Sequence, residues 1–174
     1  MYIKYYGNLY SYVYAGRDKQ YYAITHNVEK QLEGFEKKYD FYEKIICEKD
    51  PNIQDIYSVD FYVDYIDKKQ TMILMKDVTR WCVNDNRAIH RQPEIEQDEL
   101  GIIAQGLNNT DGWVIYDQCS SSKIIHLSDC TGFIVKYTYI VKDGKKLLKK
   151  HIEEVIMTSD EFKLEMIKYH NRNI

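Results

Sequence analysis

The chain has 174 residues, a formal net charge of -3 and a pI near 6.0, a size that suits one core-forming domain (1–174) without disulfide or metal staples. The acidic balance argues against nucleic acid as the main partner, because such proteins carry a basic field or stripe, and no uninterrupted apolar run approaches the roughly 18 residues needed to cross a bilayer. Met1-Tyr2-Ile3-Lys4-Tyr5-Tyr6 has no apolar h-region behind it, and Cys47, Cys82, Cys119 and Cys130 form no C-x-x-C pair; the expectation is a soluble, cytoplasmic protein with reduced thiols.

In chain order, residues 2–6, 9–15 and 19–25 are tyrosine-rich runs separated by Gly7-Asn8 and Gly16-Arg17-Asp18, which is turn chemistry joining antiparallel strands. The 17 tyrosines occur beside only four alanines and two prolines. That usage fits an AT-rich genome, such as a low-GC bacterium or its phage, and tyrosines that fill pleated strands on packing grounds. Val28, Leu32, Phe35, Tyr39, Tyr42 and Ile46 then step by four and three, the stripe of an amphipathic helix over 27–49, with Asn27 as N-cap, Pro51 beyond its end and Gly34 as its weak position.

From Ile53 to Asp67 the period changes to two, with Val59, Phe61, Val63 and Tyr65 on one face, and residues 70–76 are its expected partner strand. Ile102 to Leu107 and Trp113 to Cys119 read as two strands, and Lys123 to Leu127 as a short third. Phe133, Val135, Tyr137, Tyr139 and Val141 alternate into Asp143-Gly144, a type I′ turn pair. That turn predicts a hairpin in which Val135 faces Ile152, Tyr139 faces Leu148, and Ile156 continues the matching face. Thr158-Ser159-Asp160-Glu161 is a capping box and Met157 with Phe162 fits a hydrophobic staple, so a helix over 158–171 with Phe162, Met166 and Tyr169 inward closes the reading. The fold class predicted is α+β: one domain, mostly antiparallel sheet, with a long helix and a C-terminal helix.

Three of the five arginines fall within 12 residues, and Arg80, Trp81, Asp85, Arg87, His90 and Arg91 form the candidate binding segment. Arg offers a planar fork for two parallel hydrogen bonds, and Trp a stacking or anchoring surface. The competing reading is a solvated loop whose arginines pair with Asp77, Asp85, Glu94 and Glu96. Exchange of Arg87 and Arg91 together for Lys separates the two: partner affinity falls if the fork is used, and stays unchanged if it is not.

Other constellations carry less. Asp60 and Asp64 share a strand face about 13 Å apart, too far for a shared metal or a glycosidase pair. Cys119, His126 and Cys130 supply three soft ligands in no standard spacing, so neither metal nor cofactor is expected. Cys82 with His90 lacks an orienting group, and Ser120-Ser121-Ser122 reads as a loop outside any G-x-S-x-G turn. The functional expectation is a small non-enzymatic binding or regulatory protein, an inhibitor or accessory factor, whose partner is another protein or else an acidic or anionic ligand. The alternative is a small hydrolase or phosphate-ester enzyme centred on residues 80–91.

Overall fold

A computed structural model describes residues 1–66, 68–73, 99–107, 109–116 and 118–170. Among the described residues twelve strands form: β1 (Tyr2–Tyr5), β2 (Asn8–Ala15), β3 (Gln20–Thr25), β4 (Glu36–Lys37), β5 (Tyr42–Cys47), β6 (Ile53–Tyr65), β7 (Lys68–Ile73), β8 (Glu99–Gln105), β9 (Val114–Ile115), β10 (Ser120–His126), β11 (Cys130–Lys142) and β12 (Lys145–Ile156). One α-helix, α1 (Ser159–His170), stands beside them among the described residues, with two 3-10 turns, Val28–Glu33 and Leu127–Asp129. The protein is therefore an antiparallel sheet protein, and the α+β expectation with a long helix is overturned.

The segment expected to be that helix shows why. Asn27 does cap, its side-chain oxygen accepting from the Glu29 N–H, but the turn it opens is a 3-10 turn that ends at Gly34, whose φ of 82° is left-handed. Glycine takes that conformation without the steric cost that a Cβ brings. Leu32 is 95% exposed and Tyr39 94%, while Phe35, just past the glycine, is buried. Tyr42 and Ile46, the last members of the stripe, lie on β5 and face inward. A step of four residues returns to the same face of a helix and of a strand alike, so that pair fitted either period.

The described residues divide into two compact units, one within 1–59 and 137–153, the other within 60–136 and 154–170. In the first, the ladder runs β4-β5-β3-β2-β1-β6. The expected meander of the opening strands is present, and its register puts Ile56, Ile3 and Tyr10 in one cross-strand row and Tyr12 with Ala23 in another. Tyr12 and Tyr14 both lie against Tyr21, with centroids 5.2 and 4.9 Å apart, and Phe35 packs on Tyr10 at 5.0 Å. Tyr5, Tyr10, Tyr12 and Tyr21 are buried members of this core, so these tyrosines are structural, as strand packing predicts.

In the second unit the ladder runs β6-β7-β8-β10-β9. Phe61 and Val63 of β6 face inward as the period-two reading required, Phe61 meets Phe162 edge-on at 5.5 Å, and the Phe133 ring lies 5.3 Å from Phe162. Phe162, Met166 and Tyr169, the stripe expected on the C-terminal helix, are all buried. Its capping box is formed: the Thr158 N–H donates to the Glu161 carboxylate (2.9 Å) and the Glu161 N–H to the Thr158 hydroxyl (3.4 Å). The Thr158 N–H, and then its hydroxyl, which donates to the same carboxylate at 2.8 Å, hold the Glu161 carboxyl below its ordinary value. Replacing Thr158 by Ala is expected to cost about 1 kcal/mol, read as a drop in denaturation midpoint with an unchanged m value. A Cβ at Gly132 would lie 2.7 Å from the Asp64 carboxylate and would force that side chain to shift.

Two strand assignments are corrected. Among the described residues of the range Trp113 to Cys119, only the two-residue β9 is strand, while the strand pairing with β8 is the longer β10, which begins at Ser120. The Asp143-Gly144 turn forms with positive φ at both residues, but the return strand does not keep the expected partners. The Tyr139 ring lies 6.2 Å from His151, and the Met157 N–H reaches the Phe133 carbonyl at 3.0 Å. Leu148, Ile152 and Ile156 consequently stay exposed. Regular turn geometry sets pairing only next to the turn, and irregularities further along a hairpin displace it.

Candidate functional site

A cleft of about 690 Å3 lies wholly in the second unit, over strands β7, β8 and β10. Its wall is laid down by register: Tyr62 stands opposite Met72, Met72 opposite Ile103, and Gln105 opposite Ser120. Alternation along each strand then brings these side chains to one face. Lys68, Lys69 and Gln70 line the same cleft, with Thr71, Ala104 and Cys119. Lysine ammonium groups beside an aliphatic and aromatic wall make an amphipathic site with a cationic side, and 690 Å3 falls within the range of pockets that hold small ligands or a partner's side chains.

The polar groups are not equally engaged. Lys68 stands 4.5 Å over the buried Trp113 ring. Gln70 is fixed at both ends: its backbone N–H donates to Asp64 (2.8 Å), and its side-chain oxygen accepts from Lys136 (2.9 Å), which leaves the carboxamide NH2 to donate. Lys136 also stands 4.9 Å over the Tyr62 ring. Burial, then the Asp60 carboxylate, keeps the Tyr62 phenol above its ordinary pKa and hence neutral. Ser120 is 8% exposed, and its hydroxyl has no hydrogen-bond partner among the described residues. A buried hydroxyl left unpaired costs about 1–3 kcal/mol, and this oxygen is closed off from the cleft's open space. The described lining contains neither carboxylate nor imidazole, the usual groups for proton transfer near neutral pH.

Sequence reading did not find this cleft. Ser120 to Ser122 open a strand where a loop was expected, and Tyr62 was indistinguishable from any outward tyrosine on a period-two strand. The one available signal was the cationic pair Lys68-Lys69 directly after that strand. The residues singled out instead, Arg80, Trp81, Asp85, Arg87, His90 and Arg91, all lie outside the described residues, as do Cys82 and the other members of that segment. Asp64 spends its carboxylate on the Gln70 N–H. Burial first, then Asp129 and Asp64, pushes the Cys130 thiol up to about 12, which makes it a poor metal ligand or nucleophile. Among the described residues no three His, Cys, Asp or Glu side chains converge into a metal site, and no helix is long and apolar enough to cross a membrane.

A smaller hollow of about 350 Å3 in the first unit is lined by Tyr5, Tyr6, Tyr10, Glu33, Phe35 and Lys44, among others. Its charges are already satisfied within the chain: Lys44 stands 5.5 Å over Tyr5, donates to the Glu33 carbonyl at 2.7 Å, and the Glu33 carboxylate accepts from Lys30 at 2.6 Å. The β7–β8–β10 cleft is the better site on these grounds. No protein-family model matches the chain, and neither a curated protein nor a solved structure shows significant similarity to it.

Proposed function

We propose that the chain is a non-enzymatic binding protein whose β7–β8–β10 cleft receives an apolar group that bears a carboxylate, supplied by an acidic segment of a protein partner. The observation that carries this reading is the combination of an apolar wall (Met72, Ile103, Tyr62) with Lys68 and Lys69 in one cleft of about 690 Å3 whose described lining holds no acid. An apolar side chain gains by leaving water against that wall. Its carboxylate meets ammonium groups and the Gln70 amide donor, and charge-assisted bonds of this kind are stronger than neutral ones. The groups that the described lining does hold, ammonium, amide and apolar side chains, are groups for recognition, and that supports the binding reading.

The test is a titration with two probes, an acetylated Leu-Glu dipeptide and octanoate, followed by calorimetry and by tryptophan emission, since Lys68 lies over Trp113. Saturable binding of the dipeptide, weakened at least about tenfold by Lys69→Glu, supports a partner's acidic segment. Tighter binding of octanoate with the same sensitivity to Lys69→Glu assigns the carboxylate to a free small molecule. Absence of saturable binding of either probe, or binding indifferent to the charge reversal, overturns the proposal.

A further inference from the structure

Strand β12, Lys145–Ile156, hydrogen-bonds to β11 and to no other strand among the described residues. The other strands that end a ladder, β4 and β9, are two residues long, too short to template another chain. β12 has 12 residues, and long unpaired edges are the places where sheets add strands. The Met157 N–H points to β11, where it bonds the Phe133 carbonyl. Because backbone groups alternate along a strand, residues 155, 153 and 151 also turn theirs to β11, while 156, 154 and 152 present theirs to the open edge. The side chains are exposed on the same register: Leu148 fully, Ile152 at 58% and Ile156 at 81%.

The strand reads Lys145-Lys146-Leu147-Leu148-Lys149-Lys150-His151-Ile152-Glu153-Glu154-Val155-Ile156, basic in its first half and acidic in its second. Laid antiparallel on a copy of itself about Ile152, it is self-complementary. Ile152 meets Ile152, Leu148 meets Ile156, and Lys150 meets Glu154; on the opposite face His151 meets Glu153 and Lys149 meets Val155. Every pair whose backbone groups face the open edge is apolar with apolar or Lys with Glu, the pairs that stabilise adjacent strands. Alternatives fail on charge or polarity. A parallel, in-register pair sets Lys on Lys and Glu on Glu, an axis at Lys150 sets Lys150 against itself, and an axis at His151 sets Leu148 against Glu154. Lysines on an edge ordinarily repel a second strand; segregated into one half and matched by glutamates in the other, they select one register. Lys149 and Lys150 form no ion pair among the described residues, and Glu154 is engaged by Lys136 at 2.8 Å through one of its two oxygens.

We propose that the chain associates as a two-fold dimer by antiparallel pairing of β12 with β12 of a second copy, the axis passing at Ile152. The pairing needs only the extended run of one strand and does not depend on the cleft reading. The experiment is sedimentation equilibrium of the full chain from low micromolar to submillimolar concentration, with four samples beside the wild type. Ile152→Lys sets two ammonium groups face to face at the axis. Lys150→Glu alone and Glu154→Lys alone each set like charges opposite each other. An equimolar mixture of those last two single variants restores Glu against Lys at both positions. The expected result is a wild-type dimer, association weakened at least tenfold in each variant alone with unchanged melting of the dilute protein, and a heterodimer in the mixture. A wild type that stays monomeric across the range, a dimer indifferent to Ile152→Lys, or a mixture that stays monomeric overturns the proposal.

Discussion

Phe35→Ala is expected to lower stability by about 3–5 kcal/mol, the cost of a large buried ring removed from a packed core, whereas Leu32→Ala is expected to change it by less than about 0.5 kcal/mol. Phe35 is 3% exposed and packs on Tyr10 at 5.0 Å, while Leu32 is 95% exposed on a 3-10 turn with no buried residue. The pair discriminates between the two readings of residues 27–49. On an amphipathic helix Leu32 and Phe35 lie on the same buried stripe, and both truncations are costly. Chemical denaturation of the two variants is the measurement. A loss above about 2 kcal/mol for Leu32→Ala would restore the helix and sink the strand assignment.

Raising the pH should unfold the protein through its tyrosines. Burial, followed by the hydrogen bond to Asp50 at 3.0 Å, pushes Tyr5 from 10.0 up to about 12. Burial, followed by the charge of Glu48, does the same for Tyr21, and burial, followed by Glu153, for Tyr139. Tyr10 and Tyr12 are raised as well, again chiefly by burial. Each folded-state value lies above the unfolded value, so the neutral phenol is the form the fold holds. The stability this represents is whole below about pH 10 and is lost as pH rises from there through about 12. The expected record is a cooperative rise of phenolate absorbance that coincides with loss of far-ultraviolet dichroism in that window. Independent titration of all the tyrosines near pH 10 with the dichroism intact would show that the rings are not core. Tyr5→Phe removes one such proton release and is expected to make the alkaline transition shallower.

Local rules were sufficient where a few neighbouring residues settle the outcome. The capping box from Thr158 to Glu161 forms helix α1 with its three inward residues, the Asp143-Gly144 turn forms between two strands, and the tyrosine runs separated by glycine turns form a meander. In each case hydrogen bonds or steric limits within four or five residues decide the conformation. The candidate site was not legible in this way. Tyr62, Met72, Ile103 and Ser120 lie far apart in the chain and meet only because β6, β7, β8 and β10 pair in one particular register.

The sequence by itself determined the antiparallel character of the sheet, because period-two runs and turn residues exclude long parallel crossovers, and it determined the C-terminal helix through its own cap. Only the tertiary structure decided the fate of residues 27–49. There the spacing of Tyr42 and Ile46 satisfies helix and strand equally, and pairing of β5 with β3 (Tyr21 opposite Ile46) breaks the tie. It also decided that the apolar residues of β12 remain outside: two-residue alternation offers Leu148, Ile152 and Ile156 to one face of a hairpin, but neither face of this strand is closed over, and only Leu147 and Glu153 in it are partly covered.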